Sequence, residues 1–169
     1  MEWTGARYAD MPTVEVETSI DAPPDRVWSL VSDINLMPTL STELQAVEWL
    51  DDPPAPSLGA RFRGHSEHPS LGTWSTVSHV VEHEPARVFA WAVGDLDQPT
   101  AIWRFTLRPS GAGTVLSQWM QLGPGRSGLS RVIDQMPDKE EKIVFVRLRE
   151  FEESMTRSLA AIKTMAEQA

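Results

Sequence analysis

The stretch TVEVETSIDAPPDRVWSLVSDI (residues 13–34) changes its period in the middle. Val14, Val16, Thr18 and Ile20 alternate with Glu15, Glu17 and Ser19, the period of two that marks a strand with one wet face. Past the corner, Val27, Val31 and Ile34 recur at steps of four and three, with Trp28 and Leu30 widening the stripe. That spacing is helical. Between the two periods lie Pro23 and Pro24. Pro23 restricts Ala22 to extended geometry, and a proline suits the first helical position, so Pro24 and Asp25 open a helix with a carboxylate near its positive end. The double proline is a strand-to-helix corner, and Trp28 rides on the helix half or more buried.

A second short helix or turn covers NLMPTLSTEL (residues 35–44), after which the chain reads as strand. Six runs are legible: Gln45 to Leu50, Ala60 to Glu67, Thr73 to His83, Arg87 to Val93, Thr100 to Arg108 and Thr114 to Leu122. The separating signals DDPPAPSLG, HPSLG, EPAR, GDLDQP and PSGAG are short, which makes the neighbours antiparallel hairpins. After GPGRSG a short helix spans Leu129 to Met136 and stops at Pro137. From Asp138 to about Glu167 there is neither glycine nor proline, and Val144, Leu148, Phe151, Met155, Leu159, Ile162 and Ala166 form one helical stripe. A rod of roughly 45 Å is about as long as a domain of this size is wide, roughly 40 Å. It must lie across the sheet. A seven-stranded antiparallel sheet is curved by its own twist, and a helix on its concave side leaves a cavity.

The 169 residues suit one α+β domain, with residues 1–12 as an N-terminal arm and 13–169 as the domain proper. The 41% apolar and 23% charged content is that of a soluble protein, and no apolar run approaches the length of a membrane span. MEWTGARYADMPT carries no secretory pattern, so the expected location is cytoplasmic. The absence of cysteine excludes disulfides and thiolate chemistry. A formal charge of −9 without a dense basic block argues against nucleic acid as a partner.

The order of elements, together with IDAPPDRVWSLVSDINLMP, LGTWSTVSHVVEHEPARVFAWAVG and WRFTLRPSGAGTVLSQWMQLGPG, resembles the START/SRPBCC superfamily, and within it the polyketide cyclase/dehydrase-like branch. The resemblance runs from about Thr13 to Glu167 and implies a helix-grip fold: a seven-stranded curved antiparallel sheet wrapped around a long C-terminal helix, with two short helices after the first strand. It also implies an apolar ligand cavity. It names no ligand, because one fold hosts carriers, receptors and cyclases alike.

Alternation assigns the side chains that face such a cavity. Phe89, Trp91 and Val93 share a face, as do Trp103, Phe105 and Leu107, and these apolar faces point inward. The same rule groups Phe62 with Gly64 and Ser66; Trp74 with Thr76, Ser78 and Val80; and Leu116 with Gln118 and Met120, leaving Trp119 outside. From the long helix Phe151 and Met155 complete the lining. Ser78, Gln118 and His68 are the candidate polar groups in this apolar wall, which is how ligand pockets fix orientation. Each taken singly is better accounted for by a backbone bond or a buried water, whereas the set as a lining points to a ligand.

Three motifs compete with this reading. HVVEH (residues 79–83) fits an inverted zinc-peptidase pattern, whose histidines must lie on adjacent helical turns. On a strand, positions four apart share a face but sit ~13 Å from each other, against ligand distances of roughly 2 Å; both His79 and His83 are expected outward, with no metal. GPGRSG (residues 123–128) mimics a dinucleotide loop but lacks the parallel strand and acidic residue that must follow, so no cofactor is expected. It reads instead as a flexible loop over the cavity mouth, with Arg126 and Ser127 as gate residues, or as a plain connection. HSEH (residues 65–68) places its histidines on opposite faces of a strand. Tyr8, in the arm, is poorly placed for proton transfer in a buried pocket.

Two functions of different classes follow. The first is binding or carriage of a hydrophobic small molecule, a lipid or a polyketide-like aromatic metabolite. The second is a polyketide cyclase or dehydratase catalysing aldol-type ring closure or water loss, with His68 or Gln118 beside the reacting carbonyl. Scarcity of inward titratable groups favours binding. A blander third reading makes the protein a regulatory partner through the outer face of the long helix, where Glu150, Glu152, Glu153 and Arg157 look solvated. Monomer and homodimer both remain open.

Overall fold

The corner at the two prolines forms as the sequence dictates in the computed structural model, which describes residues 1–52 and 57–168. Strand β1 spans Thr13–Ile20; Pro23 caps the following helix in extended geometry, φ −67° and ψ 155°, and Pro24 opens helix α1 (Pro24–Val31). The helix buries Val27 and Val31 and leaves Trp28 half-buried. A 3-10 turn at Ile34–Leu36, capped by the Asp33 side chain accepting from the Asn35 N–H, leads into α2 (Met37–Leu40). Six strands follow: β2 (Leu44–Trp49), β3 (Arg61–His68), β4 (Gly72–Glu84), β5 (Val88–Gly94), β6 (Pro99–Ser110) and β7 (Gly113–Leu122). Of the turn DDPPAPSLG, residues 53–56 lie outside the described residues.

All seven strands form one antiparallel sheet in the order β1-β7-β6-β5-β4-β3-β2. Consecutive strands are neighbours except for β1, which crosses through α1 and α2 to the far edge. After β7 come α3 (Gly128–Gln135), a 3-10 turn at Pro137–Lys139 and the 28-residue helix α4 (Glu140–Glu167). The helix runs alongside β1 and is gripped by the curved sheet, α1 and α3. No described helix is long and apolar enough to cross a membrane.

Two apolar clusters divide the length of α4. Leu159, Ile162 and Ala166 pack with α1 and the inner residues Phe62, Phe89, Trp91, Phe105 and Leu116. Val144, Leu148 and Met155 pack instead with Val14, Met120, Leu122 and Leu129. The C-terminal end of the helix is tied by polar contacts. Arg26 of α1 donates to the carbonyls of Met165, Ala166 and Gln168 at 3.1, 2.6 and 2.5 Å, covering acceptors that a helix end leaves bare.

Glu167 belongs to the same corner. The Asp21 N–H donates to its carboxylate at 2.8 Å and Lys163 Nζ at 2.6 Å, and these two bonds hold its carboxyl below the ordinary value of 4.5. A depressed carboxyl pKa contributes stability that is present at neutral pH and disappears as the pH falls through the folded-state value. Melting temperatures compared at about pH 7 and about pH 3 should therefore show a smaller acid loss in Glu167→Gln than in the wild type; an identical loss in both would remove Glu167 from the acid response.

Candidate ligand-binding site

The inner face of the sheet is built by cross-strand pairs. Phe62 pairs with Ser78, Ser78 with Val93, Trp91 with Trp103, Phe89 with Phe105, Trp103 with Met120, and Phe105 with Gln118, which in turn faces Val16. The inward set expected from alternation on β3 to β7 thus shares one face. Its aromatic members touch in a continuous series: Phe62 to Trp91 at 6.0 Å, Trp91 to Phe89 at 5.4 Å and to Phe105 at 6.1 Å. Trp103 meets Phe151 of α4 edge-on at 5.3 Å. Such offset and edge contacts are the favoured arrangements of aromatic quadrupoles.

This wall is closely filled at its centre. Phe89, Leu116 and Met120 have no exposed surface, so no water-sized space adjoins them. Gln118 and Trp91 each keep 8% exposure, and exposure rises through the half-buried Trp74, Thr76, Val93, Trp103 and Phe151. These half-buried side chains mark where the grip is least covered. Two concavities lie outside it: about 230 Å³ between the N-terminal arm and α4, against Pro12, Val144, Phe145 and Leu148, and about 370 Å³ at the edge made by β2 to β4, against His65, Ser66, Trp74 and Ser75.

Gln118 is the polar anomaly of the wall. Its Oε1 is buried without a hydrogen-bond partner among the described residues, a state that native structures seldom leave uncompensated. Ser78, another inward polar residue, is 3% exposed.

At the rim the helix and sheet are joined by charge. Arg147, its side chain 8% exposed, grips Glu43 with both terminal nitrogens at 2.5 and 2.8 Å and donates to Glu150 Oε2 at 2.9 Å. Burial by itself lowers the guanidinium pKa, but the hydrogen bonds and charge of Glu43, then of Glu150, outweigh it and hold the group above its ordinary value. The plane of Arg147 lies over the Phe151 ring at 4.2 Å. His68, at the end of β3, completes the cluster. The Ser70 N–H donates to its Nδ1 at 3.0 Å, so in the neutral ring Nε2 carries the proton and donates to Glu150 at 3.2 Å. Glu43, His68 and Glu150 bring donor atoms within 4.8 Å of one another, a metal-like grouping, but Arg147 already occupies both carboxylates with its own positive charge. The set is an ion network.

Several expectations are corrected here. His68 stands at the rim within this network and not in the apolar wall, because β3 ends there. His79 points outward, beside Arg61 and Ala92, as expected. His83 does not. A bulge between Val80 and Glu82 slips the register by one residue, which turns His83 inward against Trp28 at 5.4 Å and Phe89 at 6.3 Å. Glu150 is half-buried in the network and not on a solvated face, whereas Glu153 and Arg157 are exposed. The GPGRSG loop is tied down: the Gly123 and Gly125 N–H groups donate to Thr100 and Pro99 carbonyls at 2.8 Å each, and a Cβ on Gly125 would collide with the Gln98 carbonyl. Gly125 serves close approach. Arg126 pairs with Asp134, Ser127 caps α3, and Tyr8 Oη donates to the Gly125 carbonyl at 2.5 Å. Glu43 and Arg147 were not singled out from sequence. Arg147 does carry a signal, being three residues after Val144 and four before Phe151 and hence a charge on the inward stripe; Glu43, in a link, carries none.

Fold and inner face together define a helix-grip protein of the SRPBCC type. Residues 11–167 match the family described as polyketide cyclase / dehydrase and lipid transport, and the chain belongs to that family. The Polyketide_cyc-like protein Cgl2372 of Corynebacterium glutamicum is 31% identical, with 92% of this chain and 91% of that one covered and a TM-score of 0.67. The di-domain ARO/CYC StfQ of the steffimycin biosynthetic pathway shares the fold at 14% identity and a TM-score of 0.69, this chain covering 50% of that one and 92% of itself. DR_A0006 of Deinococcus radiodurans is similar at 20% identity, with 90% and 95% covered and a TM-score of 0.61. No curated protein matches the chain.

Proposed function

We propose that this protein binds an apolar, ring-containing small molecule between the inner face of the sheet and α4. Trp74, Thr76, Trp103 and Phe151 line the approach, Phe62, Ser78, Phe89, Trp91, Phe105, Leu116, Met120 and Met155 form the supporting wall, and Gln118 is the polar contact. The observation that carries the reading is the unpartnered Gln118 Oε1, since a ligand hydroxyl or N–H would supply the donor that the protein lacks. The family description names lipid transport beside cyclase and dehydrase activity, and binding is common ground to all three. Carriage is favoured over ring closure by His68, whose two ring nitrogens are engaged by Ser70 and Glu150 and are not free to exchange protons with a substrate.

Titrating 2-naphthol and naphthalene against tryptophan fluorescence tests this. The wild type should prefer 2-naphthol, and Gln118→Leu should lose that preference, weakening 2-naphthol by about tenfold while gaining about 1 kcal/mol of stability from removal of the orphan acceptor. If neither compound changes the fluorescence, or if the leucine variant retains the preference, Gln118 is not the recognition point.

A further inference from the structure

Between its polar-tied ends, the apolar joint between α4 and the rest of the fold is interrupted by an ion network. Val144, Leu148 and Met155 seat in one apolar cluster and Leu159, Ile162 and Ala166 in the other. Arg147 sits among them on the same side yet meets Glu43 from the α2–β2 link, and through Glu150 it reaches His68 at the end of β3. We infer that the Glu43–Arg147–Glu150–His68 network is a charge clamp whose opening admits the ligand to the inner face, an inference that rests on the ligand-binding reading above.

The physical ground is a difference between two kinds of seam. Parting apolar surfaces costs free energy in proportion to the area wetted, with nothing returned. Parting buried ions loses their attraction but restores their hydration, and the two nearly cancel, so a complete ion network holds its partners in register while adding little to the cost of opening. The helix–sheet joint therefore yields most readily at Arg147. What lies behind it gives the opening a use. The Arg147 plane covers Phe151 at 4.2 Å, Phe151 stands edge-on to Trp103 at 5.3 Å, and Trp103 pairs across the sheet with Met120, two residues from Gln118 on the same face. Swinging the guanidinium aside uncovers Phe151 and Trp103, both half-buried already, and they lead to the orphan carbonyl.

Stopped-flow mixing with N-phenyl-1-naphthylamine, a neutral apolar fluorophore, separates the outcomes. Arg147→Met should raise the association and dissociation rate constants together by about tenfold while affinity stays within about twofold, because a gate alters both rates and not the bound state. In the wild type both rates should climb with added sodium chloride, and the variant should lose that dependence. Should Arg147→Met fail to fold, the triple variant Glu43→Gln, Arg147→Met, Glu150→Gln leaves no unpaired charge and is read the same way. Binding with unchanged, salt-independent rates overturns the clamp and leaves the ligand reading standing. Absence of binding to the wild type and to both variants removes the ligand reading and the clamp with it.

Discussion

Replacing Phe89 with alanine should lower the unfolding free energy by about 4 kcal/mol and the melting temperature by on the order of 10 °C. Phe89 is wholly buried and touches Trp28 at 6.3 Å, His83 at 6.3 Å and Trp91 at 5.4 Å, so the missing ring leaves a cavity bordered by large rigid groups. Such walls collapse poorly. The change would strike the fold where it is decided, because Trp28 is the residue that the proline corner delivers onto the sheet, and Phe89 is what it lands on. Denaturant unfolding of the variant measures the loss. A loss near 1 kcal/mol would mean that α1 re-seats on the sheet and that the corner is less rigid than its packing implies.

How far the sequence reveals this molecule depends on the range over which each feature is determined. The strand-to-helix corner, the inner-face alternation of β3, β5, β6 and β7 and the stripe of α4 all rest on periods within a dozen residues, and each lies where those periods put it. Helix α4 starts at Glu140, two residues later than expected, because Pro137 to Lys139 close a 3-10 turn first. The side of His83 was not legible. A bulge adds one residue to one strand according to how its neighbour pairs, and nothing between Val80 and Glu82 announces it. The loop at Gly123 to Gly128 misleads for a related reason: glycine permits mobility and close approach equally, and here Gly125 is required because the Gln98 carbonyl leaves no room for a side chain. Gln118 was legible as an inward polar residue. That it lacks a partner depends on Phe105 and Val16 flanking it from two other strands.

The rim network shows the limit most clearly, since Glu43 and Arg147 meet across 104 residues, and it yields the second large effect. Arg147→Ala should destabilise the protein by about 3 kcal/mol, the lower end of the cost of stranding buried charge, because Glu150 remains 38% exposed and regains some hydration when its partner leaves. Part of the loss is apolar, as the arginine stem and its contact with Phe151 go too. Pairing the change with Glu43→Gln and Glu150→Gln separates these contributions. If stranded carboxylates dominate, the triple variant recovers most of the stability; if packing dominates, it recovers little. Chemical denaturation of the single and triple variants reads the difference directly. A single variant within about 0.5 kcal/mol of the wild type would show that Arg147, despite its bidentate grip on Glu43, leaves the α4–sheet joint no stronger than two hydrated surfaces side by side.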